Sequence, residues 1–258
     1  MDFLFNLYFG LLIFFAGASL GSFTECVCDR YSESRKMNLL SRSRCDVCGH
    51  TLGPLELVPV ISYLLLRGSC RHCKVKIPLR CFITELLSGF YALALFIQYG
   101  ISLRFFACII IYYLVLSAAI IDIRLRIIPN IIPISLFVLR IIIFLLEGIS
   151  LFSVINAASG SLIIALILFA SSRVIRKKCG HTAIGGGDIK LLLAAGLFLG
   201  AFGCLLCALI MSVSGLLYVC IKKIKANEPF AFAPFIAFAV SAVLITRDSL
   251  SSIYFNVF

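Results

Sequence analysis

Four cysteines and two aspartates are the residues of this chain whose types and spacing can do chemistry. Cys45-Asp-Val-Cys48 and Cys70-Arg-His-Cys73 are two C-x₂-C pairs separated by 21 residues, a spacing that brings four thiolates onto one zinc ion. A site closed by four thiolates has no open position for a substrate, so its role is structural. Arg42, Arg44, Arg71, His72, Lys74 and Lys76 place positive charge around it, and His72, inside the second knuckle, is poorly placed to replace a cysteine. Asp122 follows the apolar stretch 105–121 and precedes Arg124 and Arg126; Asp188 follows Gly185, Gly186 and Gly187, precedes Lys190 and opens a helix. Acids at the membrane surface are costly unless paired, hydrated or used. The glycines permit positive φ and close backbone approach, which would aim Asp188 at a neighbouring helix. Two carboxylates brought together cannot both ionise easily, so one activates water while the other, protonated, polarises a peptide carbonyl. The pair titrates as a unit, and neither role falls to a particular aspartate. A second account stays open: Asp122 pairs with Arg124 or Arg126 at a helix end, and Asp188 serves as an N-terminal cap. No Gly-Lys-Ser/Thr follows the glycines, so the run is not a phosphate-binding loop.

The elements that must carry these residues are membrane helices. The chain has 258 residues, 62% of them hydrophobic, and a mean hydropathy of +1.10, where ordinary soluble domains are roughly 45–50% apolar. Stretches 3–28, 81–98, 105–121, 128–146, 151–172 and 230–245 each suit one crossing. The run 189–221 is too long for one, and Gly200-Ala-Phe-Gly203 is the expected break, giving about eight spans, or seven if it does not divide. Residues 1–28 are read as a retained first helix: Met1-Asp2 offers no basic start for a signal peptide, and Ala16-Gly-Ala-Ser19 suits helix packing. Residues 29–80 form the polar metal loop and 81–258 a seven-helix domain. The expected fold class is therefore an all-α polytopic membrane protein with a cytoplasmic zinc-binding loop after its first helix.

The formal charge of +11 is distributed as a membrane protein requires. With eight spans, 20 of the 23 basic residues fall on one side. Three short loops share the bias with the long one, which makes that side cytoplasmic and disfavours a nucleic-acid partner. Thiols on that side stay reduced, which favours metal binding over disulfides. Cys26, Cys28, Cys81, Cys108, Cys179, Cys204, Cys207 and Cys220 lie in or beside apolar segments and are read as small buried hydrophobes.

Taken together, these residues resemble the bacterial type IV prepilin leader peptidases, membrane aspartic proteases of the GxGD class. The resemblance is carried by Phe15-Ala-Gly-Ala-Ser-Leu-Gly-Ser-Phe23, by Val58-Pro-Val-Ile-Ser-Tyr-Leu-Leu-Leu-Arg-Gly68 between the knuckles, and by Arg80 with Glu85-Leu-Leu. It continues through Asp122 to Pro129-Asn130, Gly185-Gly-Gly-Asp-Ile-Lys-Leu191 and Phe232-Ala-Pro-Phe235. It implies catalytic Asp122 and Asp188, an active-site loop of Gly185, Gly186, Gly187 and Lys190, and structural zinc on Cys45, Cys48, Cys70 and Cys73. The implied substrates are prepilins or pseudopilins, cut after the last glycine of a short basic leader at the cytoplasmic face of the inner membrane. Many members also methylate the new N-terminal residue from S-adenosylmethionine; no βαβ unit or glycine-rich turn marks a site for that donor here, and Glu85 is the one residue suggested. Membrane lipids are further expected partners, and the oligomeric state is open. Two other functions compete: a zinc-stapled membrane scaffold with structural aspartates, and a transporter in which they couple ions.

Overall fold

The computed structural model describes residues 2–33, 42–179, 185–223 and 230–255; parts of the expected basic loops (34–41, 180–184, 224–229) lie outside the described residues. Among the described residues there are eight α-helices: α1 Asp2–Ser32, the short α2 Ile61–Leu65, α3 Leu79–Tyr99, α4 Leu103–Leu125, α5 Ile131–Glu147, α6 Leu151–Cys179, α7 Gly186–Lys222 and α8 Ala233–Phe255. Among the described residues the extended pairings are two isolated bridges in the polar loop. Five helices among the described residues are long and apolar enough to cross a membrane. Leu11, Phe106, Ile110, Leu162, Leu166, Leu209 and Leu216 are exposed on them, an arrangement suited to lipid and not to water. The chain is an all-α, multi-pass membrane protein.

It forms two compact units, 1–109 and 110–258. In the first, α1 packs on α3, which the sequence grouped with the second domain. Between apolar helices in lipid there is little hydrophobic gain, so close approach of small residues does the work. A Cβ on Gly17 would lie 2.5 Å from the Ala92 Cβ, and one on Gly21 2.5 Å from the Ser88 hydroxyl. The small-residue stretch of the first helix is therefore a packing seam, as its composition suggested. The helix continues to Ser32, four residues past the expected end, where Arg80 Nε meets the buried Glu25 at 3.3 Å and Arg80 Nη2 lies 3.7 Å from Asp29.

In the second unit α6 packs on α7, and α7 on α8 and α5. The long run is divided at the expected place: Gly200 has φ 68° and ψ −179°, a region open essentially to glycine alone. The Cys204 Sγ lies 3.8 Å from the Gly196 carbonyl oxygen, whereas eight residues of straight helix would separate them by about 12 Å. Helix α7 thus folds back on itself as a hairpin of residues 186–199 and 201–222. Asn156 of α6 packs its amide against the break, and Gly160 of α6 has no room for a Cβ against Gly196 and Gly200. Gly200→Ala should therefore cost about 1–3 kcal/mol in backbone strain alone, with further loss from its clash with Asn156, read as a lower thermal midpoint in detergent.

Arg140 lies at mid-helix in α5, its guanidinium 4.1 Å over the Phe144 ring and 5.7 Å from that of Phe198. Of the remaining cysteines Cys28, Cys108, Cys204 and Cys207 are buried as expected, and Cys26 and Cys81 half-buried. Cys220 departs from that expectation: it is exposed, on an outward face of α7. The side chain of Cys179 lies outside the described residues.

Candidate active site and metal centre

The polar loop is built from two matching turns. In the first, the Cys45 N–H donates to His50 O and the Gly49 N–H to Cys45 O, both at 2.9 Å; in the second, the Cys70 N–H donates to Val75 O at 2.9 Å and the Lys74 N–H to Cys70 O at 3.1 Å. Bridges Arg44–Thr51 and Ser69–Lys76 close them. Each turn needs a left-handed residue directly after its second cysteine, supplied by Gly49 (φ 69°) and by Lys74 (φ 60°). The two turns face each other so that the sulfurs of Cys45, Cys48, Cys70 and Cys73 all lie within 4.8 Å of one another. The Cys45–Cys73 separation is 3.7 Å and the Cys48–Cys70 separation 4.0 Å. Four sulfurs about 2.3 Å from a tetrahedral zinc stand about 3.8 Å apart, so the donor set fits that ion, and the cluster is one that can hold a metal. Backbone N–H groups of Cys48 and Val47 pull the Cys45 thiol down to about 6. At Cys73 the Val75 N–H also lowers, but desolvation and the neighbouring thiols outweigh it and push the group up to about 11. Crowded thiols resist joint ionisation unless a cation compensates them.

Neither histidine joins the cluster. His72 stacks on His50 with ring centroids 3.7 Å apart, and His50 Nε2 lies 3.3 Å from Glu56 Oε2. That carboxylate oxygen also accepts the Gly53 N–H at 2.8 Å, the main reason Glu56 sits below the usual carboxylate range, with His50 adding to it. The loop reaches α3 through Val60, whose N–H donates to Glu85 Oε2 at 2.8 Å. Val60 itself is held at φ 64° and ψ −53°, the strained γ-turn geometry. Glu85 is thus an anchor of the metal loop.

The aspartates come together in the second unit. Helix α4 ends because Arg126 turns left-handed (φ 56°) and Pro129 keeps Ile128 out of helical geometry. That places Asp122 in its last turn, 7% exposed. Its Oδ2 accepts the Ala233 N–H from the start of α8 at 3.0 Å. Asp188 stands half-buried in the first turn of α7, where the Gly185 backbone hydrogen-bonds its carboxylate. It therefore does occupy a capping position, but it also lies within electrostatic reach of Asp122, which capping does not require.

The three glycines work by closeness. None has positive φ, contrary to one use foreseen for them. A Cβ on Gly185 would stand 3.0 Å from Asp188 Oδ2 and one on Gly187 3.0 Å from the Ile128 Cβ, while Gly186 faces open space. The first and third glycines are sterically demanded and the middle one is free, which is the physical content of a GxGD pattern. Lys190 donates to Asn130 Oδ1 at 2.9 Å, tying the start of α7 to the turn before α5. Asn130 and Ala233 entered the sequence reading only as members of blocks carrying the resemblance, with no role attached, because each meets its partner only across the fold. Nearby, Phe230, Phe232 and Phe235 cluster with Tyr218, the closest centroid pair being Tyr218–Phe235 at 5.3 Å.

Residues 15–99 match the bacterial peptidase A24 N-terminal domain and residues 109–220 the type IV leader peptidase family; the second match begins one residue before the division of the two units. Among curated proteins, a prepilin leader peptidase/N-methyltransferase of Bacillus subtilis is 30% identical over 258 residues, covering 94% of this chain and 96% of its own length. Proteins of the same name from Vibrio cholerae (33% identical, 73% of this chain and 78% of the relative) and Neisseria gonorrhoeae (29%, 84% and 76%) are also similar. No solved structure matches the chain at a significant level.

Proposed function

The chain belongs to the type IV leader peptidase family, and we propose that it cleaves the leader from prepilin or pseudopilin precursors and methylates the N-terminus so exposed. The observation that carries the peptidase reading is the meeting of Asp122 and Asp188, from the last turn of α4 and the first of α7, at one end of a helix bundle. In the reaction one carboxylate takes a proton from water as its oxygen attacks the scissile carbonyl carbon. The other donates its proton to the carbonyl oxygen. Collapse of the tetrahedral intermediate then breaks the C–N bond, and the amine leaves with a proton. A structural aspartate pair, as a scaffold would have, gives no reason for two acids to share a site when each already has a backbone partner.

The methyl-transfer half rests on the relatives' name. Among the described residues there is no strand–helix cradle for S-adenosylmethionine, and no step is derived through it. The zinc assignment follows from the fit of the four sulfurs, with Cys45, Cys48, Cys70 and Cys73 as ligands holding the loop. The excess of basic residues in the loops supports a cytoplasmic position, at the inner membrane, for the zinc loop and both aspartates. The hairpin at Gly200 supports eight crossings, α7 counting twice.

The test uses purified protein with a prepilin from the same genome, the product N-terminus being read by mass spectrometry with and without S-adenosylmethionine. Cleavage after the leader glycine, with one methyl group added only when the donor is present, is the expected result. An intact precursor overturns the peptidase reading. Steric demand at the glycines adds a second expectation: Gly186→Ala keeps wild-type cleavage within about twofold, whereas Gly187→Val, which must displace Ile128, loses about 10²-fold.

A further inference from the structure

Among the described residues, the N–H of Ala233 is the backbone donor that another helix sends into the aspartate pair, and it reaches Asp122 across 111 residues of sequence in a buried contact at 3.0 Å. A peptide N–H can only donate, so it interacts most strongly with a carboxylate that carries charge. Ala233 is the first residue of α8, so the whole helix directs its positive end at the same oxygen. Asp188 differs: its backbone partner, Gly185, belongs to its own first turn, and the charge it faces is that of Asp122.

Building on the leader-peptidase reading, we propose that the Ala233 peptide is a positioning group that holds Asp122 as the charged, water-activating member of the pair and leaves the shared proton on Asp188. Other charged groups at this end of the unit belong to several elements. Arg124 and Arg126 lie on or just after α4, Asp188 and Lys190 at the start of α7, and Lys222 and Lys223 at its end. Arg173 of α6 lies over the Phe169 ring 4.8 Å away. Lys190 is engaged with Asn130. Among the described residues, α5 and α8 begin without a charged side chain. The donor to Asp122 is therefore a peptide, which does not titrate, and its influence should persist across the working pH range.

Ala233→Pro tests this, because proline is tolerated at the first helical position and removes the N–H, although it adds a ring there. Ala233→Gly keeps the donor and controls for the local backbone. Since Ala233 is fully buried, a second replacement guards against misfolding: lactic acid introduced at 233 turns the amide into an ester, deleting the N–H and adding no atoms beyond the ring-free alanine shape. We expect wild-type behaviour for Ala233→Gly. For the proline and ester forms, kcat should fall 10- to 100-fold with KM changed less than twofold, and the acid limb of the pH–rate profile should move to higher pH. Movement of the alkaline limb instead, or a fall in activity with an unchanged profile, would overturn the assignment. Wild type and Asp122→Asn run alongside separate the two claims: if wild type fails to cleave, the peptidase reading fails, and if it cleaves while the ester form matches it in rate and profile, only this inference does.

Discussion

Asp122→Asn and Asp188→Asn each lower leader cleavage by about 10⁴-fold or more, equivalent to a loss of about 5 kcal/mol of transition-state stabilisation. Asparagine keeps the shape of aspartate and can still accept the Ala233 N–H, so the helices should pack as before while proton transfer is lost. Because the two carboxylates act as one unit, the double variant should be no slower than either single variant. The measurement is the initial rate of mature pilin formation, taken with the thermal midpoint and metal content of each variant. Near-wild-type cleavage by both single variants would mean that the pair is structural, and the scaffold reading would take its place. Loss of activity together with a collapsed thermal midpoint would show that an aspartate holds the fold and would sink the assignment of a purely chemical role.

Cys70→Ser is the substitution with the largest expected effect on structure. Cys70 is the buried member of the four clustered cysteines, and its N–H also closes the second turn. A structural zinc in a small module contributes about 10–16 kcal/mol at neutral pH, more than the turns and two bridges of residues 42–77 can replace. Zinc content should fall from one equivalent to near zero, and the segment should become open to limited proteolysis, with cuts between the knuckles. Removing the metal from wild type with a strong chelator should give the same pattern. The Val60–Glu85 bond anchors this loop to α3, so its loss should loosen the exit of the loop before the membrane helices are affected. A metal-free protein that keeps full protection from proteolysis would refute a structural role for the ion.

Much of this molecule could be read from short-range pattern. Apolar runs of a given length announce membrane helices because no other backbone arrangement satisfies itself in lipid. Two C-x₂-C pairs announce a metal site because the turn itself points both sulfurs one way. Gly200 was legible as a break because a 33-residue apolar run must turn somewhere and the small residues mark the place. The Asp122–Asp188 pairing was legible through acids standing where acids are costly, although neither residue by itself distinguishes chemistry from a cap or an ion pair.

The sequence by itself determined the helical membrane character, the two cysteine pairs, the two acids at helix ends and the family, since each rests on residue type and local spacing. Tertiary structure decided the rest: that Gly185 and Gly187 are demanded by contact while Gly186 is free, and that none of them needs a left-handed backbone. It also decided that α7 doubles back, that Lys190 holds Asn130, and that the first peptide of α8 reaches Asp122. The reason is physical. A helix apolar on every face carries no directional record of which side meets a neighbour, so partners far apart in the chain are chosen by the fit of small residues and by a few buried polar contacts. Those become visible only when the helices are assembled.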